Sequence, residues 1–309
     1  MNDNIVVLTG GVGGAKLVDG LYRILPTGSL TAIVNTGDDF RHFGLPISPD
    51  LDTLLYTLSG KANVAQGWGR EGESWTFMDA ARSLGAEDWF NLGDGDLALH
   101  ILRRAAFENG DTLSVVTSRF AAQWGVSLPI LPMSDDAVKT WVDSDEGPLS
   151  FQRYFVGRQC APQVSAIRFR GAKQAKPAPG VVEAIEAASA IIIAPSNPWL
   201  SIDPILAIPQ LREALTLRKV PLVAVSPLIE GKAVKGPTRK LMDELGIHPS
   251  NASIAEHYGD LLDGLLTHIG DDTPSYIYGA QTNTLMLTHE DRIRVARSSL
   301  ELARKCKRG

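Results

Sequence analysis

The stretch Ile5-Val6-Val7-Leu8-Thr9-Gly10-Gly11-Val12-Gly13-Gly14-Ala15-Lys16-Leu17 decides the fold. Four apolar residues without polar alternation predict a strand buried on both faces, as in a parallel sheet covered by helices. Glycines follow at once, and then Leu17, Leu21, Ile24 and Leu25 recur at helical spacing. A strand, a glycine-rich turn and a helix in that order open a βαβ unit. The rhythm continues downstream. Thr31 to Val34 reads as a second strand, Leu51 to Leu58 as a short helix with Leu51, Leu54, Leu55 and Leu58 on one face, and Leu97 to Ala106 as another helix. Leu113 to Thr117, Ala190 to Ala194 and Val220 to Val225 read as further buried strands. A strand near Thr284 to Leu287 and a helix from Asp291 to Lys305 close the chain. The fold class is α/β, with a Rossmann-like parallel sheet as its core.

Between about Val126 and Lys176 the rhythm changes. Ser127–Pro132 (SLPILP), Phe151–Val156 (FQRYFV) and Val164–Gly171 (VSAIRFRG) all read as strands with no long helix between them. Three segments result: core 1–125, an inserted smaller β-rich subdomain at 126–176, and core completion at 177–309.

Composition narrows the function. Thirty Lys and Arg against thirty-five Asp and Glu leave a net charge of −5, which argues against a nucleic-acid partner. The longest apolar run, Ala190 to Ala194, is far short of the ~20 residues a bilayer demands, so no membrane partner is expected. The opening MNDNIVVLTGG enters a strand without a basic leader, and a cytoplasmic location is expected. Cys160 and Cys306 are too few for a disulfide scaffold and read as free thiols.

The glycine loop lets backbone N–H groups approach a phosphate at a helix N-terminus. It does not match the Walker pattern, because Lys16 lies between Ala15 and Leu17. Nor does it match the dinucleotide pattern, because Lys16 stands three residues after Gly13. A diphosphate site or a plain tight turn remain. Asn35-Thr36-Gly37-Asp38-Asp39 ends the second strand, and Pro49-Asp50-Leu51-Asp52 opens the next helix. Both lie at the carboxyl edge of a parallel sheet, where open α/β sheets bind ligands. Singly, Asp50 reads equally as an N-cap and Asp38 as a turn residue. Together, four carboxylates beside a phosphate loop call for Mg²⁺, which one or two of them hold with phosphate oxygens.

Two later loops share that edge: Pro195–Pro204 (PSNPWLSIDP) and Ser226–Pro237 (SPLIEGKAVKGP), the second offering Lys232 and Lys235 beside Gly236 as a phosphate clamp. Gly67–Trp75 (GWGREGESW) sets two tryptophans and Arg70 in a glycine-rich stretch, suited to stacking a flat ring or to pinning a lid. Trp89–Asp96 opens a helix with more carboxylates, and Asp94 or Asp96 reads equally as a cap or as a catalytic group. The six histidines show no zinc-ligand spacing, and no G-x-S-x-G elbow appears.

GGVGGAKL, NTGDD, SPDLDTLLYTLSG, GWGREGESW, WFNLGDGDLALH, ILPMSDD, PSNPWLSIDPIL and VSPLIEGKAVKGP stand in this order over almost the whole chain. Together they resemble the 2-phospho-L-lactate transferase (CofD/FbiA) family of coenzyme F-420 biosynthesis. The resemblance implies transfer of a phospho-lactyl, phosphoenolpyruvyl or phosphoglyceryl group from a guanylyl diphosphate donor to the deazaflavin Fo. It also implies release of GMP, dependence on Mg²⁺ and, as usual in the family, a homodimer. Carried onto this sequence, Asp50 and Asp39 are the catalytic candidates, and Asp38, Asp39, Asp50 and Asp52 the metal candidates. Gly11, Gly13 and Gly14 are assigned to the diphosphate. Ser196, Asn197, Ser201, Lys232, Lys235 and Gly236 are assigned to the guanosine phosphates, and Trp68, Arg70 and Trp75 to the deazaflavin pocket. Gly95 departs from the family's pattern, where an arginine is frequent, and Arg70, Arg103 or Arg104 is the expected substitute. Gln281–Thr284 also departs, standing where an acidic residue is more usual. The alternative is a non-catalytic nucleotide-sugar-binding regulator resembling the gluconeogenesis-factor relatives.

Overall fold

A computed structural model describes residues 4–233 and 237–306. Its strands are β1 (Ile5–Thr9), β2 (Leu30–Val34), β3 (Phe40–His42), β4 (Leu45–Ile47), β5 (Ile130–Pro132), β6 (Lys139–Ser144) and β7 (Gly147–Ser150). Then come β8 (Val164–Arg170), β9 (Ala190–Ile193), β10 (Leu222–Val225), β11 (Leu228–Ile229), β12 (Lys232–Ala233), β13 (Gly264–His268) and β14 (Tyr278–Thr282). The helices are α1 (Gly11–Ile24), α2 (Pro49–Leu58), α3 (Thr76–Ser83), α4 (Asp94–Glu108), α5 (Leu113–Gln123) and α6 (Val181–Glu186). They continue with α7 (Asp203–Leu206), α8 (Pro209–Leu217), α9 (Thr238–Glu244), α10 (Asn251–Tyr258) and α11 (His289–Lys305).

The core is a seven-stranded sheet in the order β14-β13-β10-β9-β1-β2-β5, with every pairing parallel. Side chains of β1 divide between its faces, as a strand's alternation requires. Ile5 and Val7 join Leu17 and Leu21 of α1, Leu54 of α2 and Val295 of α11. Val6 and Leu8 join Ile185 of α6, Leu211 of α8 and Ile254 of α10. Both faces are therefore covered by helices, which explains the unbroken apolar runs of β1 and β9. The chain leaves β1 toward β2 on one side and returns as β9 on the other, so the sheet's switch point opens beside the loop after β1. Among the described residues no helix is long and apolar enough to cross a membrane.

Three strand readings are corrected. Leu113–Thr117 is the start of α5, because Leu113, Val116, Thr117 and Ala121 are buried at helical spacing and Thr112 caps the first turn. The β-branched run Val115–Thr117 suggested a strand, and packing overrode that preference. Phe151–Val156 is a helical turn that buries Phe151 and Tyr154 on one side. The last strand is Tyr278–Thr282, a largely exposed edge strand, and not Thr284–Leu287. Within 126–176, β5 extends the edge of the central sheet, while β6, β7 and β8 form a separate antiparallel sheet in the order β7-β6-β8. That small sheet docks on the acidic loop, the Thr140 amide donating to the Gly37 carbonyl at 2.7 Å.

Candidate active site

At the switch point three loops close on one another. The Gly10 amide donates to Ser196 Oγ at 3.2 Å, and the Ser196 hydroxyl donates back to the Gly10 carbonyl at 2.7 Å. The Gly11 amide donates to Asp50 Oδ1 at 2.7 Å, and Asn35 Nδ2 donates to Asp50 Oδ2 at 2.9 Å. A Cβ on Gly10 would stand 2.5 Å from Asp50 Oδ2 and 2.8 Å from Ser201 Cβ, so only glycine permits this approach. Gly13 and Gly14 lie equally close to Pro195 and Ser196. Gly11, with φ +68, faces open space. The structure thus brings Gly11, Gly13, Gly14, Asp50, Ser196 and Ser201 into one patch, built from segments 39 and 186 residues apart in sequence.

Asn197 belongs to the scaffold of that patch. Its side-chain oxygen accepts from the Trp199 and Leu200 amides at 3.0 Å, and its Nδ2 donates to Thr238 Oγ1 at 3.0 Å at the start of α9. It therefore ties the loop after β9 to the loop that carries Lys232. Lys235 and Gly236 lie outside the described residues, and Lys232 is placed by its backbone in β12.

The acidic loop is buried. Asp38 is 6 % exposed. Burial, reinforced by the Asp50 charge against an Asn35 hydrogen bond, raises the Asp38 carboxyl well above the ordinary carboxylate range. Burial likewise raises Asp39, although the Ser48 hydroxyl (2.6 Å) and the Arg103 charge oppose it. Burial lifts Asp50 to about 6 against its bonds from Asn35 and Gly11. Asp38 Oδ1 and Asp39 Oδ1 are buried without a hydrogen-bond partner. Two such oxygens suit a cation that takes the remainder of its shell from phosphate and water. Among the described residues no three acid, His or Cys side chains form a ready-made metal cage.

Asp52 has a different neighbour. The Arg103 guanidinium grips both its oxygens and also donates to the Pro46 carbonyl at 3.2 Å. Arg103 is 1 % exposed, so this pair anchors α2 on α4 and occupies both oxygens of Asp52. His100 Nδ1 lies 3.3 Å from Arg103 Nη1, and His100 Nε2 lies 3.3 Å from Asp96 Oδ2.

The tryptophan loop walls a cavity of about 150 Å³, lined by Trp68, Arg70, Glu73, Trp75, Asn91 and Asp96 among others. Trp68 is half exposed. Arg70 pairs with Glu73 at 3.2 Å, and its guanidinium covers Gly95 where a side chain at that position would stand. Of the three expected substitutes, Arg70 occupies that space. Arg103 is committed to Asp52, and Arg104 pairs with Glu108 at 2.8 Å and with the Gly44 carbonyl at 3.1 Å.

Residues 5–304 match the family model described as 2-phospho-L-lactate transferase CofD. The chain belongs to the CofD family. It is 42 % identical over 311 residues to a phosphoenolpyruvate transferase of Streptomyces griseus, covering 97 % of this chain and 98 % of that protein. It is 38 % identical over 292 residues to a 2-phospho-L-lactate transferase of Methanosarcina mazei, covering 93 % and 96 %. In fold it is similar to a UPF0052 family protein from Bacillus halodurans, with a TM-score of 0.64 and 19 % identity over 96 % of this chain and 99 % of that one.

Motif reading gave Asn35 no role of its own in this candidate site and named Arg103 only as a stand-in for an arginine at Gly95. Asn35 holds Asp50 and was the first residue beyond β2, a position at the ligand edge. Arg103 interrupts the buried stripe of α4 between Leu99 and Ala106. An arginine in such a stripe demands a buried acid, and that was its available signal. Tyr56 and His100 carried none.

Proposed function

We propose that this chain transfers a phospho-acid group from a guanylyl diphosphate donor to the terminal ribityl hydroxyl of the deazaflavin Fo, releasing GMP in coenzyme F-420 biosynthesis. The observation that carries the reading is the joining of Gly11, Asp50 and Ser196 at the switch point, beside two unpartnered buried carboxylate oxygens. The donor's diphosphate lies along the Gly11–Gly14 amides, with its guanosine end toward Ser196, Ser201 and the Lys232–Gly236 loop. Asp38 and Asp39 hold Mg²⁺, which when bound neutralises the diphosphate charge. The acceptor oxygen attacks the phosphorus bearing the acid, the bond to GMP breaks, and the hydroxyl proton passes to a carboxylate. Asp39 and Asp50 are the candidates for that proton and for orienting the hydroxyl. Phosphoryl transfer depends chiefly on positioning and charge neutralisation, which is what this edge supplies. The acceptor ring enters between Trp68, Arg70 and Trp75. A cytoplasmic homodimer is part of the proposal.

The greater identity to the Streptomyces protein makes the enolpyruvyl donor the first to test. Turnover is assayed with Fo, Mg²⁺ and the lactyl, enolpyruvyl and glyceryl donors separately, with products followed by mass. One donor should give product, and Asp50→Asn should reduce that turnover by at least about a hundredfold with the fold retained. No product from any donor, with nucleotides still bound, would favour the regulator reading.

A further inference from the structure

Asp96 stands in the wall of the tryptophan-loop cavity, and its surroundings differ from those of an ordinary helix cap. The capping work at the start of α4 is done by Glu73, whose Oε2 accepts from the Gly95 amide at 2.6 Å. Asp96 is left with other partners. The Tyr56 hydroxyl donates to its Oδ1, and His100 Nε2 faces its Oδ2 at 3.3 Å. Arg103 fixes the tautomer of that histidine. A guanidinium only donates, so His100 Nδ1, 3.3 Å from Arg103 Nη1, is the acceptor and Nε2 carries the proton; Nε2 lies near Asp96 Oδ2 without an aligned hydrogen bond to it. Arg103 is in turn clamped on Asp52. Every neighbour named on the protein side is thus a donor, while 19 % of the Asp96 side chain stays open on the cavity. Burial acts to raise Asp96, but His100 beside it, the bond from Tyr56 and the Arg103 charge bring it below the ordinary carboxylate range.

A carboxylate kept ionised accepts hydrogen bonds and gives none, so it discriminates between ligand edges that donate and edges that do not. Trp68 and Trp75 supply flat apolar faces beside it. We infer that Asp96 is a specificity-determining residue that accepts a hydrogen bond from an N–H or O–H on the edge of the flat heteroaromatic acceptor. Tyr56 and His100 are positioning residues that hold its carboxylate. The inference rests on the transferase reading for the identity of the acceptor alone.

Riboflavin serves as a flat, N–H-bearing probe, titrated against the full chain with tryptophan emission as readout, and guanosine diphosphate binding is measured by calorimetry. Asp96→Asn should weaken riboflavin binding by about tenfold, the effect of one hydrogen bond to a charged group, and leave guanosine diphosphate affinity within about twofold. In turnover it should raise the acceptor KM without lowering kcat. Tyr56→Phe, which removes one donor and strands no charge, should give a smaller rise in the same KM. Wild-type riboflavin affinity in Asp96→Asn, equal loss of both ligands, or a fall in kcat at unchanged KM would overturn the inference. So would a wild-type chain that does not bind riboflavin. Failure of wild-type turnover with every donor sinks the transferase reading instead, and the riboflavin arm still judges Asp96.

Discussion

Asp38 sits 6 % exposed with one carboxyl oxygen lacking a partner, next to the charge of Asp50. An enzyme that holds a cation at such a residue keeps a site that is unfavourable when empty. The sign follows from proton binding. Asp38 in the unfolded chain titrates near 3.8, and in the folded chain well above that value. Between the two, the folded state binds more protons, so stability contributed by this group falls as pH rises and stays reduced above the folded pKa. In chelator, Asp38→Asn should therefore melt above the wild type at pH 7, and the gap should shrink as pH falls toward 4. Adding Mg²⁺ should raise the wild-type Tm and narrow the gap from the other side. Scanning calorimetry of both proteins across that range is the check. A variant no more stable than wild type at pH 7 would mean that the empty site carries no such cost.

Helices α3 and α4 cap one another. Asp94, at the start of α4, accepts from the Ser74 hydroxyl at 2.6 Å and from the Thr76 and Phe77 amides at 3.1 and 3.0 Å. Glu73, just before α3, accepts from Gly95. This reciprocal arrangement fastens the tryptophan loop to α4, and with it the cavity wall. Asp94→Ala should speed amide exchange across residues 74–83 and weaken riboflavin binding, with guanosine diphosphate binding unchanged. Unaltered exchange there would show that α3 holds its place by packing alone. The cap near Trp89–Asp96 was legible in the sequence, but its direction was not. Asp94 serves the helix before it and not its own. The misread elements have a common cause. Val115–Thr117 and Tyr154–Val156 have strand-like composition, and only the buried partners at spacing three and four make them helical. β14 has exposed side chains and is held by the β13 ladder, so its sequence carried no apolar signal.

The whole molecule places one site at the joint between two halves of the chain. The first half supplies the glycine loop, Asp38, Asp39 and Asp50, and the second supplies Ser196, Asn197 and Ser201. The meeting of these loops was legible, because parallel strands with known order put their following loops at one edge. The pairing of Asp52 with Arg103 and the line through His100 to Asp96 were not, since a buried pair needs the position of both helices. The same joint is closed on the far side of β1 by Asp19 of α1. Asp19 is 2 % exposed and accepts from Arg292 of α11 at 2.8 Å, across 273 residues of sequence, and from Arg23 at 2.9 Å. Gly20 lies beside it, close against the Arg292 backbone, so the two helices touch without an intervening side chain. Removing the acid alone leaves the Arg292 guanidinium buried beside a lost partner, a change that typically costs about 3–5 kcal/mol. Removing both charges leaves an apolar contact that costs less. Urea unfolding of Asp19→Ala should show a loss of that order, and Asp19→Ala with Arg292→Met should recover part of it. Because α1 begins at the glycine loop, the single variant should also loosen Gly11 from Asp50 and lower turnover, while the double variant restores both together. A double variant no more stable than Asp19→Ala would mean that the cost lies in packing around α1, and that the ion pair does not clamp the two halves around the site.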